Sequence, residues 1–130
     1  MAGRVFKTGR VFKSARFSKT AEKAGISDAE LGKAIVQVMA GQADDLGGGV
    51  YKKRLAGNRN RSIVLARSGE WWVYEHLFAK QDRANISTAE LKAFRELAKT
   101  YSRLSSDDVG VLVAARDWIE IVGSSAEKPR

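Results

Sequence analysis

Six cationic side chains and no acidic one lie between Leu46 and Gly69, in a segment that predicts short strands. Guanidinium and ammonium groups gathered on one surface bind polyanions. Arginine can hold a phosphate through two N–H groups, and such groups stabilise charge that grows in a phosphoryl transition state. We therefore place the candidate site here, with a solvated basic face as the alternative. The six are Lys52, Lys53, Arg54, Arg59, Arg61 and Arg67.

The spacing of these cations predicts which of them act together. Residues two apart in a strand share a face, so Lys52 and Arg54 point the same way and Lys53 points oppositely. Arg61 begins the next predicted strand, and Lys80 lies at the end of the third. Short turns join these strands into an antiparallel meander, in which the basic ends converge on one sheet face.

Aromatic residues and the single histidine lie on the third predicted strand. His76 is a candidate acid–base group because its reference pKa is near neutral pH. Alternation puts it on the face of Trp72, Tyr74 and Phe78, and the alternative is a half-buried histidine with no chemical role. Trp71, Trp72 and Tyr74 either stack on nucleic-acid bases or pack in the core.

Composition narrows the classes of function. The chain has 130 residues, a formal charge of +8 and a pI near 10.0, so we expect an anionic partner: nucleic acid, an acidic protein or an anionic membrane. With no cysteine and one histidine, it offers no disulfide, thiol nucleophile or zinc site, and we expect no metal or cofactor. No apolar run approaches the roughly 20 residues that span a bilayer, and no secretory signal is recognised. A cytoplasmic location is expected.

The predicted fold class is α+β, with two N-terminal helices, a small antiparallel twisted sheet and C-terminal helices. Ser27 with Glu30, and Ser87 with Glu90, have the spacing of capping boxes. We expect a single domain over 10–122, an extension over 1–9 and a flexible tail over 123–130. The predicted elements are an edge strand near 10–13, helices 19–24 and 28–40, a loop at 44–49, strands 50–55, 62–66 and 71–78, helices from 88 and from 105, and a strand at 118–122.

The order of these motifs resembles the RelE/ParE superfamily of bacterial toxins, in its RelE/HigB-like branch. The resemblance covers nearly the whole chain from Arg10 to Val122. It is carried by Arg10-Val11-Phe12-Lys13, Phe17, Lys23, Gly25-Ile26-Ser27-Asp28, Asp45-Leu46-Gly47-Gly48-Gly49, Lys52-x-Arg54, Arg61-Ser62-Ile63, Phe78-Ala79-Lys80, Arg83-Ala84-Asn85-Ile86-Ser87 and Glu90-Leu91.

The resemblance implies the toxin of a type II toxin–antitoxin module that cleaves mRNA on the ribosome without a metal and so inhibits translation. A ribose 2′-hydroxyl attacks the adjacent phosphate in such a reaction. Lys52, Arg54, Arg61 and Lys80 match the basic positions of the family's cleft. The partners implied are a cognate antitoxin, mRNA and the ribosome, with no membrane. The further RNA-binding candidates are Lys53, Arg59, Arg67 and Arg83.

Individual roles follow from side-chain chemistry. Arg54 and Arg61 are expected on the scissile phosphate, because a planar guanidinium matches phosphate geometry. Lys52 or Lys80 is the expected proton-transfer group, since neighbouring cations favour a neutral amine. His76 competes for that role.

Two departures from the family pattern leave alternatives open. The segment 55–60 is short and lacks a tyrosine before Arg61, and His76 stands where tyrosine is common. If these departures have removed the RNA-cleaving activity, the domain remains as a scaffold that binds a partner without cleaving it. The alternatives are therefore an inhibitor of DNA gyrase like the ParE branch, or a non-catalytic nucleic-acid-binding module.

Overall fold

A computed structural model describes residues 9–67 and 70–121. These residues form six strands and four helices. In chain order they are β1 (Arg10–Ser14), α1 (Ala15–Ala24), α2 (Asp28–Met39), β2 (Asp44–Gly47), β3 (Val50–Leu55), β4 (Asn60–Arg67), β5 (Trp71–Ala79), α3 (Thr88–Tyr101), α4 (Ser106–Ala114) and β6 (Trp118–Ile121). The α+β class is confirmed.

The six strands form one mixed sheet in the order β2-β3-β4-β5-β1-β6. The meander predicted for β3, β4 and β5 is confirmed, with antiparallel pairing throughout. The sheet, predicted as a small antiparallel one, has in addition one parallel pair, because β1 runs parallel to β5 and antiparallel to β6. The prediction of β1 as an edge strand is wrong. Val11 and Phe12 are both fully buried, so this strand has apolar neighbours on each side, as an interior strand requires.

Helices cover both faces of the sheet. The face toward α1 and α2, here the α2 face, carries Val64, Tyr74 and Leu77 in one core cluster. The opposite face, here the α3 face, carries Ile63 and Leu65 packed against α3, and Val73 packed against α4. Alternation along each strand therefore assigns every side chain of the candidate site to one of these two layers.

Serine residues begin all four helices by accepting a hydrogen bond from a backbone nitrogen in the first turn. Ser14 caps α1, so this helix begins at Ala15 rather than at the predicted residue 19. The box at Ser87 is complete, since Glu90 also accepts from the Ser87 nitrogen at 2.7 Å. The caps fix the entry of each helix onto the sheet.

The segment predicted as a loop at 44–49 contains the edge strand β2. Asp44 pairs with Lys52 across the ladder, and their charged atoms lie 3.8 Å apart. Pairing with β3 overrides the low strand propensity of aspartate and glycine. The turn that follows needs glycine, because Gly49 has a φ of 83° and a Cβ there would lie 2.9 Å from the Ala66 carbonyl oxygen.

Several predictions fall outside the described residues. These are the extension over 1–9 except Gly9, the tail over 123–130, the end of the last strand at 122 and most of the turn at 68–70. Within the described parts of the chain, no helix has the length and apolar character that crossing a bilayer requires.

Candidate functional site

Lys52, Arg54 and Arg61 occupy one face of the β3–β4 pair. Arg54 lies directly opposite Arg61 in the register, and Lys52 lies opposite Ile63 on the α3 face. Lys53 points to the other face, where its Nζ donates to the Gln42 carbonyl at 3.2 Å. The predicted alternation of these cations is confirmed.

Arg61 is buried, with 8% of its surface exposed. Its Nη1 donates to the Asn58 carbonyl at 3.0 Å and to the Asn60 carbonyl at 3.3 Å. Both bonds come from one nitrogen, so they leave the donors on Nε and Nη2 for another acceptor. The side chain therefore holds the turn before β4 and keeps part of its hydrogen-bonding capacity for another acceptor.

Three successive residues of that turn have positive φ: Ala56 at 54°, Gly57 at 62° and Asn58 at 77°. A left-handed alanine is strained, and such residues persist where the surroundings hold them. Here Glu30 of α2 accepts a hydrogen bond from the Ala56 nitrogen at 2.6 Å. The capping box predicted at Ser27 and Glu30 is therefore only half formed, because the Glu30 carboxylate fixes the turn instead.

The segment between β5 and α3 crosses the end of the α3 face and contacts the cations there. Lys52 Nζ donates to Asn85 Oδ1 at 3.3 Å and lies 3.8 Å from the Asp44 carboxylate. Only 16% of its side chain is exposed. These contacts hold the ammonium at the end of the α3 face.

Arg83 lies on the same face. Its guanidinium pairs with Glu90 through two hydrogen bonds, its Nε donates to the Asn85 carbonyl at 2.9 Å, and it stacks 5.5 Å above the Phe78 ring. The Arg83 hydrogen bond, followed by the bond from the Ser87 backbone, lowers the pKa of Glu90 to about 2. This network fixes a cation beside the basic strands.

His76 shares the α3 face with Phe78, and its ring centroid lies 5.8 Å from that of Phe78 and 5.6 Å from that of Phe94. The prediction that Trp72 and Tyr74 share its face is wrong. A bulge between Ile63–His76 and Val64–Tyr74 inserts one residue and shifts the alternation. Burial, followed by the charge of Arg16, lowers the pKa of His76, and its Nε2 is buried with no hydrogen-bond partner.

The three aromatic residues considered for base stacking are buried. Trp71, Trp72 and Tyr74 belong to the core clusters, and Tyr74 donates its hydroxyl to the Leu31 carbonyl at 2.8 Å. Core packing is therefore confirmed for them, and the base-stacking interpretation is wrong.

Glu75, the residue inserted by the bulge, was not predicted as part of the site. It is buried, and Tyr101 Oη donates to its Oε1 at 2.9 Å while Arg16 Nη2 lies 3.9 Å from its Oε2. Burial raises the pKa of Glu75. The available sequence signal was an isolated acid in an otherwise apolar strand.

The other predicted residues are distributed around this centre. Lys80 and Arg59 are exposed and line an open pocket of about 630 Å³ beyond the ends of β4 and β5. Arg67 lies at the far end of β4, about 20 Å from Arg61 by strand rise, where it donates to the Leu104 carbonyl at 3.4 Å and stacks on Trp71. The structure thus brings together Lys52, Arg54, Arg61, His76 and Arg83, and it separates Arg67 from them.

Comparison with known families gives one match, to the family described as "RelE toxin of RelE / RelB toxin-antitoxin system", over residues 9–121. The matched region contains the whole described sheet and the basic centre. No curated protein and no solved structure matches the chain.

Proposed function

Since the chain belongs to the RelE toxin family, and is thus the toxin of a toxin–antitoxin system with an antitoxin as its partner, we propose that it is a metal-independent mRNA endoribonuclease of the RelE/HigB-like branch. It acts on mRNA at the ribosome, in the cytoplasm, and inhibits translation. The observation that carries this proposal is the placement of Arg54 opposite Arg61, with Lys52, on one sheet face.

The proposed chemistry is an internal transesterification. The ribose 2′-oxygen loses its proton and attacks the neighbouring phosphorus, and the bond from phosphorus to the 5′-oxygen breaks as that oxygen gains a proton. The products are a 2′,3′-cyclic phosphate and a 5′-hydroxyl. Negative charge grows on the phosphate oxygens in the transition state, and Arg54, Arg61 and Lys52 are the groups that stabilise it.

His76 is the proposed proton acceptor, through Nδ1, because its Nε2 is buried. It is the diagonal neighbour of Arg61 on the α3 face, because Arg61 pairs with Phe78 and Ile63 pairs with His76. Diagonal neighbours lie about 7–8 Å apart, which is within reach of one phosphodiester. The lowered pKa of His76 keeps its imidazole neutral near neutral pH, the form that accepts a proton. Lys80 and Lys52 are the competing candidates for proton transfer.

The test is induced expression of the wild type and of Arg54→Ala, with Arg103→Ala as the matched control at an exposed position in the turn after α3. We expect the wild type and the control to arrest growth and to cut transcripts into fragments that end in a 2′,3′-cyclic phosphate, the end that attack by the 2′-hydroxyl leaves. We expect Arg54→Ala to do neither. Normal growth and intact transcripts with the wild type would reject the proposal.

A gyrase inhibitor like the ParE branch is the second candidate function. It is favoured by one observation: the guanidinium of Arg61 is partly engaged by the carbonyls of Asn58 and Asn60. Gyrase poisoning gives DNA damage and altered supercoiling with intact mRNA. A non-catalytic RNA-binding module, in contrast, gives RNA binding without a growth defect. The three functions therefore differ in what is damaged: mRNA, DNA or neither.

A further inference from the structure

Three open pockets surround the turn between β3 and β4, and neighbouring pockets share residues. The first, with Arg59 and Lys80, has a volume of about 630 Å³. The second lies against α2 and includes Lys33, with a volume of about 270 Å³. The third lies at the β2–β3 edge and includes Lys52 and Lys53, with a volume of about 280 Å³.

The shared residues make the three pockets neighbours, and we take them together as one path. Gly57 and Asn58 line both the first and the second pocket. Arg54 lines both the second and the third. The path therefore crosses the strained turn at 56–58, where the first and second pockets meet. Arg54 lies where the second and third pockets meet.

Every one of the three pockets contains cations. The two acids among the lining residues are already engaged, since Glu30 accepts from the Ala56 nitrogen and Asp44 lies 3.8 Å from Lys52 Nζ. The net charge along the path is thus strongly positive, which attracts a phosphate backbone. The cations along it are Lys33, Lys52, Lys53, Arg54, Arg59 and Lys80.

Amide side chains accompany these cations in all three pockets. Asn58, Asn60 and Gln81 line the first, Gln37 the second and Gln42 the third. Amides present both donors and acceptors, which suits the edges of unpaired bases. The described lining includes no aromatic ring, so bases would be held here by hydrogen bonds rather than by stacking.

We propose that this path is a track for single-stranded RNA, which crosses the 56–58 turn and holds nucleotides that flank the cleaved phosphate. The inference rests on the proposed function and extends it, because it adds Lys33 to the RNA-binding residues and places Arg59, a candidate from the sequence, on the same surface. The combination of cations and amides fits a charged chain with hydrogen-bonding bases. An amphipathic antitoxin segment on the same surface is the alternative that the test below distinguishes.

The test measures binding of the full-length protein to a single-stranded RNA with 2′-O-methyl riboses, which cannot be cleaved, over a range of salt concentrations. Lys33→Gln and Arg59→Gln are each expected to weaken binding and to make the slope of log K against log salt shallower by about 0.7, and the double variant by about 1.4. Lys92→Gln, on the exposed side of α3, is the matched control and keeps the wild-type slope.

The outcomes separate the track from the proposed function. Wild-type slopes in both variants, with RNA cleavage by the wild type intact, overturn the track and leave the nuclease standing. Unchanged RNA binding with weaker antitoxin binding also overturns it and assigns the surface to the antitoxin. A wild type that neither binds this RNA nor cuts mRNA on translating ribosomes removes the proposed function and the track together.

Discussion

The carboxylate of Glu30 in α2 accepts a hydrogen bond from the backbone nitrogen of Ala56 at 2.6 Å. This contact joins the helical layer to the turn that precedes Arg61. The turn has left-handed backbone at three successive residues, and it is also held from within by Arg61. A buried arginine and a distant glutamate thus determine together how the basic face is presented.

Glu30→Ala is expected to destabilise the protein. A hydrogen bond to a charged group contributes about 1.5–3 kcal/mol, so the free energy of unfolding falls by roughly that amount and RNA cleavage falls as the turn loosens. Asp28→Ala is the matched control, because it removes an exposed ion pair with Lys13 worth about 1 kcal/mol or less. Urea unfolding measures both. Equal losses in the two variants would show that the Glu30 contact does not hold the turn.

The two opposed arginines are expected to respond differently to substitution. Because Arg61 is buried and bonded to two carbonyls, Arg61→Ala is expected to lower the free energy of unfolding by about 1–3 kcal/mol as well as abolishing cleavage. Arg54→Ala, at an exposed position, should abolish cleavage with little change in stability. Similar stability losses in both would contradict this account.

His76 is expected to make stability depend on pH. Its pKa is lowered in the folded protein, so between that value and about 6.5 the unfolded chain binds a proton that the folded chain does not. Stability is therefore retained above about pH 6.5 and falls as the pH is lowered through this window. Unfolding curves of His76→Gln should show a smaller loss over the same range; identical pH dependence would contradict the assignment.

The contribution of Glu75 to the pH dependence of stability has the opposite sign to that of His76, so it must be tested separately. Its pKa is raised, and the folded protein therefore binds a proton more readily than the unfolded chain. The stability that this proton contributes is present at low pH and is lost as the pH rises through the folded pKa. Glu75→Gln should remove that decline, and a decline that persists in the variant would contradict the prediction.

Catalysis provides a separate test of His76. If His76 accepts the proton from the 2′-hydroxyl, the rate of cleavage rises as His76 deprotonates, with an apparent pKa below 6.5. His76→Ala should lower the rate and remove this inflection. Full cleavage with an unchanged pH profile would exclude the histidine and leave Lys80 or Lys52.

Glu90 is expected to stabilise the start of α3 in a pH-dependent way. Arg83 and the Ser87 backbone lower its pKa to about 2, so its contribution is present above about pH 4.5 and is lost as the pH falls toward 2. Glu90→Gln should therefore lower the Tm at neutral pH and differ less from the wild type in acid. A Tm difference that is constant with pH would contradict the role of this pair.

Local patterns were sufficient to predict the elements with strong periodicity. Alternation identified β3, β4 and β5, and serine followed by glutamate identified the start of α3. The face shared by Lys52 and Arg54 also followed from alternation, because β3 keeps its register beside β4. These features depend on residues that are near in sequence.

The remaining features depend on contacts between distant segments. Glu30 has the spacing of a capping box, but it binds Ala56 on a neighbouring layer instead. The bulge at Glu75 shifts the alternation of β5. Strict alternation, which ignores this bulge, therefore predicted the wrong neighbours for His76. Pairing of β1 with β5 and β6 likewise could not be read from the alternation of β1 itself.

The most direct test of the central claim is an RNA cleavage assay with purified protein and translating ribosomes. The wild type is expected to release mRNA fragments that end in a 2′,3′-cyclic phosphate, and Lys52→Ala, Arg54→Ala and Arg61→Ala are each expected to release few or none. If all three variants cut mRNA as the wild type does, or if the wild type leaves mRNA intact, the basic face of β3 and β4 is not a ribonuclease site.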